Sequence, residues 1–136
     1  DAVWADFDGD GDLDFLISGE NAEGFPEVYM YSNEGAYFRD VPVGIRPLKS
    51  CKIDVADYDR DGDMDIVMTG ESMERPYTLV YQNNGGFDFE KVIAGLPGLA
   101  NGRAIWGDYD KDGDMDLLIS GMTGCYNFVG DIYRNN

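Results

Sequence analysis

A stretch of nine residues, Asp6-Phe7-Asp8-Gly9-Asp10-Gly11-Asp12-Leu13-Asp14, returns as Asp57-Tyr58-Asp59-Arg60-Asp61-Gly62-Asp63-Met64-Asp65 and again as Asp108-Tyr109-Asp110-Lys111-Asp112-Gly113-Asp114-Met115-Asp116. The copies start 51 residues apart both times, and a period of that length decides the architecture before any single strand is considered. Each copy places carboxylates at loop positions 1, 3, 5 and 9, a Gly at position 6 and a fifth Asp at position 7. This is hard-cation chemistry. Ca²⁺ takes about six to eight oxygens at roughly 2.3–2.6 Å in a tolerant geometry, so a short loop of alternating Asp can wrap one ion. The Gly is needed where the chain turns through angles that a Cβ resists.

The repetition extends beyond the loops. Val3-Trp4-Ala5, Asp54-Val55-Ala56 and Ile105-Trp106-Gly107 precede them, while Phe15-Leu16-Ile17, Ile66-Val67-Met68 and Leu117-Leu118-Ile119 follow. Further on the chain reads Tyr31-Ser32-Asn33, Tyr81-Gln82-Asn83 and Tyr133-Arg134-Asn135, then Tyr37 to Val41 and Phe87 to Val92. Each unit therefore offers four short segments rich in β-branched and aromatic residues, separated by Gly, Asn and Pro. They are expected near residues 2–6, 14–19, 27–32 and 37–42, near 52–57, 65–70, 77–82 and 87–93, and near 103–107, 116–121 and 128–134. The second segment of each unit is apolar at consecutive positions, which implies burial on both faces. No apolar helical spacing lasts three turns, and 18 Gly with 5 Pro oppose long helices.

The chain is accordingly expected to be all-β: one repeat domain over 1–136, with repeats at 1–50, 51–101 and 102–136, the last lacking its fourth strand. Four-stranded antiparallel units with a doubly buried inner strand shield one another by stacking face to face, the arrangement of β-propeller blades. A β-solenoid is the alternative. Three blades fall short of the roughly four to eight that close a ring, so a partial propeller is expected, completed by further blades of a longer chain or by copies of itself.

The net charge is −17, but the loops hold fifteen of the 27 acids and only Arg60 and Lys111 as bases, hence −13 of that total. The acidity is a cation-binding feature first. No Lys/Arg cluster is present to displace counterions from DNA or RNA, which excludes nucleic acid as a partner. No apolar run reaches the ~18–20 residues of a membrane span. Asp1 is no initiator Met, so the chain reads as a trimmed or processed segment. Cys51 and Cys125 occupy non-equivalent places in their repeats. Two buried thiols are expected, an isolated bridge being the alternative.

The Asp-x-Asp-x-Asp-Gly-x-x-Asp loop between apolar strands, led by Trp106-Gly107-Asp108-Tyr109-Asp110 and trailed by Tyr81-Gln82-Asn83-Asn84, resembles the FG-GAP/VCBS repeat over essentially the whole chain. That resemblance implies a calcium-stabilised propeller outside the cytosol, secreted or on a cell surface, with partners engaging the rim opposite the metal loops. It implies as ligands the side chains of Asp6, Asp8, Asp10 and Asp14, of Asp57, Asp59, Asp61 and Asp65, and of Asp108, Asp110, Asp112 and Asp116. The main-chain carbonyls of Asp12, Asp63 and Asp114 would join them, with one Ca²⁺ per loop. The literal Phe-Gly and Gly-Ala-Pro signatures of integrin repeats are absent, so the bacterial VCBS branch fits better.

Other chemistries fit less well. An EF-hand needs a Glu at position 12 and flanking helices, whereas Ile17, Met68 and Ile119 stand there. Mg²⁺ prefers rigid octahedra with several waters, and Zn²⁺ and Cu²⁺ lack their ligands in a chain with no His. Carboxylates crowded at i, i+2 and i+4 are held ionised by one cation, unlike the separated acid and base of a glycosidase. The expected function is therefore non-catalytic: a calcium-stabilised module for adhesion or for binding protein or glycan. A propeller belonging to a secreted polysaccharide lyase or hydrolase and an architectural repeat of a surface layer are the alternatives. Trp4 and Trp106 are read as core packing, and Tyr29, Tyr31, Tyr77, Tyr81, Tyr126 and Tyr133 as blade-to-blade packing. Partner specificity is expected in the connections that diverge most between repeats, 20–26, 71–76, 122–126, 42–50 and 95–102.

Overall fold

The computed structural model describes residues 1–73, 75–124 and 127–135. Eleven strands form three antiparallel sheets, and no helix occurs among the described residues. The first sheet holds β1 (Ala2–Ala5), β2 (Asp14–Glu20), β3 (Pro26–Asn33) and β4 (Phe38–Val41) in that order. The second holds β5 (Lys49–Ala56), β6 (Asp65–Glu71), β7 (Pro76–Asn83) and β8 (Phe89–Val92), likewise in order. In the third, β10 (Asp116–Met122) lies between β9 (Ala100–Gly107) and β11 (Phe128–Tyr133). Within each sheet every strand pairs antiparallel with the next in sequence, as in the blades of a propeller.

Register settles how the sheets stack. Val3, Leu16, Met30 and Val41 stand opposite one another on one face of the first sheet, and this face buries against Ile53, Ile66, Met68, Leu79 and Tyr81 of the second. The other face of the second sheet, with Val67 and Val80, packs on Ala104, Leu117 and Ile119 of the third. The second sheet is thus sandwiched, and β6 is buried at six consecutive positions from Asp65 to Gly70.

Burial on both faces, expected of every second strand, holds only there. In β2 and β10 burial alternates, because the outer faces of the first and third sheets have nothing packed on them. Trp4 is for the same reason not core: it is exposed, in a cluster with Phe15 and Phe38. Trp106, its equivalent, stacks on Tyr58 of the neighbouring sheet at 5.2 Å and 5°. Tyr81 is buried between sheets while Tyr29 is exposed on the outer face; Tyr126 and Cys125 lie outside the described residues. Cys51 is buried.

A second correction concerns the links between repeats. Residues 42–50 and 95–102, expected to be free to vary for recognition, bury Ile45, Leu48 and Leu99 between the sheets. They are mortar as much as connections. Strands β5 and β9 also begin three residues earlier than expected, at Lys49 and Ala100, across register shifts at Lys49/Lys52 and Ser120/Met122. Ser50 and Asn101 adopt left-handed φ of 50° and 48° at these irregularities, and their polar character hid the strand starts.

The buried link makes a local test. A Cβ on Gly70 would lie 2.8 Å from both Leu48 Cβ and Lys49 O, whereas one on the equivalent Gly19 would meet nothing within 4 Å. Gly70→Ala is expected to destabilise by about 1–3 kcal/mol through overpacking, and Gly19→Ala to change stability by less than about 0.5 kcal/mol. Urea unfolding of the two variants checks the difference.

Candidate metal centre

Each acidic loop joins the first two strands of its sheet, so all three sit at one end of the strands. Their shape follows from local backbone demands. Loop position 6 is left-handed in every copy, with φ of 92°, 99° and 92° at Gly11, Gly62 and Gly113, which is the conformation Gly adopts at least cost. Position 4 is left-handed too, at Gly9, Arg60 and Lys111. Within this turn the position-1 carboxylates bend back on the loop: Asp6 accepts from Gly9 N and Gly11 N at 2.8 and 2.9 Å, Asp57 from Gly62 N and Asp108 from Gly113 N at 3.1 Å.

Oxygens converge as a result. Carboxylates of Asp6, Asp8 and Asp10, of Asp57, Asp59 and Asp61, and of Asp108, Asp110 and Asp116 each bring ligand atoms within 4.8 Å of one another, in groups that could hold a metal ion. One Oδ1 on Asp57 and one on Asp108 are buried without any hydrogen-bond partner. A buried carboxylate oxygen left unpaired is costly, and a cation in the cluster would supply the missing partner. Burial raises the pKa of Asp8 and of Asp59, and neighbouring carboxylates add to it. The donor set, all oxygen with alternating spacing, suits a hard cation such as Ca²⁺.

Position 9 does something the sequence did not disclose. Asp14, Asp65 and Asp116 are buried, and each spends one oxygen on the backbone N–H of loop position 2 and the other on the N–H of an Asn nineteen or eighteen residues on. Asp14 accepts from Phe7 N and Asn33 N at 2.9 and 2.8 Å, Asp65 from Tyr58 N and Asn83 N at 2.9 and 2.8 Å, and Asp116 from Tyr109 N and Asn135 N at 3.2 and 3.0 Å. These residues tie the loop to the third strand; each oxygen keeps a second lone pair for an ion. Burial pushes Asp65 up to about 6, against the two N–H bonds that pull it down. The recurrent Tyr-x-Asn now has a role as well. Asn83 Nδ2 donates to Phe7 O of the preceding sheet, and Asn135 Nδ2 to Tyr58 O, both at 2.8 Å.

Position 7 is divided. Asp12, Asp63 and Asp114 each donate a backbone N–H to the position-5 carboxylate at 2.8–2.9 Å, but Asp114 also pairs with Arg60 of the second loop at 2.9 Å. The third loop is further engaged by Arg134, 2.9 Å from both Asp110 and Asp112, and this guanidinium holds the Asp112 carboxyl below its usual range. Asp112 is accordingly not among the oxygens that converge there. The equivalent of Arg134 is Gln82 in the second loop, donating to Asp59, and Ser32 in the first, donating to Glu34.

Two outcomes are expected. Asp65→Ala destabilises by about 2–6 kcal/mol in chelator at pH 5, because two N–H groups shielded from water lose their acceptor at ~1–3 kcal/mol each, whereas Asp61→Asn in chelator does not destabilise; chemical denaturation separates them. The second is pH dependence without metal. Because the folded pKa of Asp65 near 6 lies above its ordinary 3.8, the native state binds more protons than the unfolded, so stability is present at low pH and lost as pH rises through about 6. In chelator the melting temperature should therefore be higher at pH 5 than at pH 7.

The sequence model of the FG-GAP-like repeat matches residues 6–68 and again 57–119, an offset equal to the loop period. Each match runs from one acidic loop into the second strand of the next sheet. Comparison with curated proteins and with solved structures returned no match. With both matches together spanning most of the chain, and three loop-bearing antiparallel sheets of the same plan, the chain belongs to the FG-GAP-like repeat family.

Proposed function

We propose that this chain is a calcium-stabilised, non-catalytic binding module of a secreted or cell-surface protein. The observation that carries the reading is the convergence of carboxylate oxygens in all three loops together with the buried, unpaired Oδ1 atoms of Asp57 and Asp108. Asp6, Asp57 and Asp108 at position 1, with their neighbours at position 3, with Asp10 and Asp61 at position 5, and with the buried Asp at position 9, would hold the ions. Bound Ca²⁺ would supply charge neutralisation at the three tips. The chain's own part is to hold the turn open through Gly11, Gly62 and Gly113 and to brace it through the position-9 carboxylates. Extracellular calcium modules bind with Kd near 10⁻⁴–10⁻³ M, which suits filling outside cells.

The other rim supports a binding role. A cavity of about 630 Å³ opens there, lined by Lys52 and Arg103 at equivalent places on β5 and β9, by Ser50, Asn101 and Ser120, and by Asp1. Neither Lys52 nor Arg103 makes an ion pair among the described residues. Lys52 stands opposite Thr69 and Arg103 opposite Ser120, four residues along the strand from Asp65 and Asp116, so about 13 Å separates them from the loops, between one and two Debye lengths at physiological salt. The loop charge is partly screened at that distance and is reduced further by bound cations, so a carboxylate-bearing glycan or an acidic peptide side chain is the ligand chemistry that fits the two cations. Two cations with amide and hydroxyl groups suit holding an anion rather than acid–base turnover.

Millimolar Ca²⁺ is expected to raise the melting temperature and chelator to lower it, since ligand at a hundredfold excess over Kd stabilises by about 2.7 kcal/mol per site. A thermal scan indifferent to both would remove the calcium assignment. Titration calorimetry with oligouronates should show binding that Lys52→Ala and Arg103→Ala each weaken. Turnover of such oligomers by the chain would instead favour the enzyme reading.

A further inference from the structure

Half of the chain's ten Lys and Arg residues, scattered in the sequence, gather at the strand ends away from the acidic loops: Arg46, Lys49, Lys52, Arg75 and Arg103. Two of them meet on one ring. The guanidinium carbon of Arg46 lies 4.4 Å, and that of Arg75 4.9 Å, from the ring centroid of Tyr77 at the start of β7. The backbone places all three. Arg46 follows the buried Ile45 and donates its N–H to the Tyr81 hydroxyl at 2.9 Å, Arg75 directly precedes β7, and Tyr77 is bridged to Leu99. Arg46 makes no ion pair among the described residues. A hydrogen bond with Arg75 lowers the pKa of the Tyr77 hydroxyl, and Ser72 and the two guanidinium charges lower it further against the effect of burial.

Cavities open on either side of the turn between β6 and β7. One of about 290 Å³ lies between the first and second sheets, with Pro26, Arg46 and Pro47 on its walls. The other, of about 310 Å³, lies between the second and third sheets, with Arg75, Pro76, Met122 and Thr123. They share Ser72 and Met73, and the second shares Asn101 with the cavity of Lys52 and Arg103. Together they form one groove over the junctions inside the chain, away from the outer faces of the first and third sheets. Glu71, the acid on the wall of the second cavity, stands opposite Lys49 in the sheet.

We propose that this groove holds an extended acidic segment of a partner protein, Arg46 and Arg75 taking carboxylates on alternate residues. The proposal builds on the binding reading of this rim and fixes its partner. Alternate side chains of an extended segment stand about 7 Å apart on one face, a spacing that two guanidiniums held on one ring can meet. Each planar fork can take a carboxylate through two hydrogen bonds. The apolar walls, Pro26, Pro47, Pro76 and a Met73 that is 86% exposed, suit the residues flanking the acids, since a thioether side chain adapts to varied apolar partners. An acidic glycan fits less well. Sugars pack on aromatic faces, whereas Tyr77 has guanidiniums over its ring and, among the described residues, no aromatic side chain lines either cavity.

Fluorescence anisotropy of a labelled Gly-Glu-Leu-Glu-Leu-Glu-Gly peptide with the whole chain in calcium should show saturable binding that weakens as salt rises. Arg46→Gln and Arg75→Gln, both at exposed positions, should each raise Kd about threefold to tenfold, the range for an arginine–carboxylate contact at a partly wetted rim. Lys91→Gln, on exposed β8, should leave it unchanged, and circular dichroism should report folded sheet in every variant. A peptide that does not bind overturns the proposal, as does binding that both arginine variants leave unaltered. Oligouronates that bind through Arg46 and Arg75 where the peptide does not overturn the partner class in favour of a glycan. Anion binding that answers to Lys52 and Arg103 but not to Arg46 and Arg75 sinks this inference and leaves the reading of the first cavity standing. Melting indifferent to calcium removes the metal assignment alone.

Discussion

A carboxylate shielded from water and held by two backbone N–H groups from distant parts of the chain is what makes each hairpin tip a fixed object. Burying that charge is expensive unless its lone pairs are satisfied, and Asp14, Asp65 and Asp116 satisfy theirs with the N–H of loop position 2 and of the Asn that ends the third strand. The residue at position 2 then has its backbone oriented from both sides. Its carbonyl meets the Asn amide of the following sheet, as Phe7 meets Asn83, and its ring enters the gap between sheets, as Phe7 does against Phe89 at 5.9 Å. One buried Asp per repeat therefore sets the loop, the third strand and the contact with the next sheet together.

Three loops of nearly the same sequence differ in what surrounds them. The residue after the strand-ending Tyr is Ser32, Gln82 or Arg134: Gln82 gives its loop an amide and Arg134 a guanidinium, while Ser32 donates to Glu34 instead. In the third loop Arg134 and Arg60 together engage Asp110, Asp112 and Asp114, so a cation arriving there competes with groups already bound. Identical ligand residues do not make equivalent sites when the neighbouring strand supplies its own charge.

Much of this was legible in the sequence. The 51-residue recurrence located the three sheets, because alternating and consecutive apolar segments repeat in register, and the Gly at loop position 6 announced a backbone that only a left-handed turn provides. The acidic clusters followed from spacing alone. What stayed hidden depends on neighbours the linear pattern does not name. Trp4 and Trp106 occupy equivalent positions, yet one is exposed and the other stacked, since only the second has a sheet beside it. Ile45, Leu48 and Leu99 lie in stretches broken by Pro and Gly, which read as surface connections, and their burial arises from the gap between sheets. The clamp formed by Asp14 was invisible because its partners, Phe7 N and Asn33 N, are main-chain atoms that no residue type advertises.

Directional packing has a genetic corollary. Each 51-residue unit carries one face of the junction and the complement of that face, so tandem duplication of the unit writes a new interface that already fits on both sides. Gain or loss of a whole unit keeps the apolar register of every junction while exchanging its polar contacts, since Arg60 reaches Asp114 from a position that holds Gly9 one unit earlier. Copy number in such a chain can change at little cost to the core, provided the boundaries of the duplicated segment respect the period.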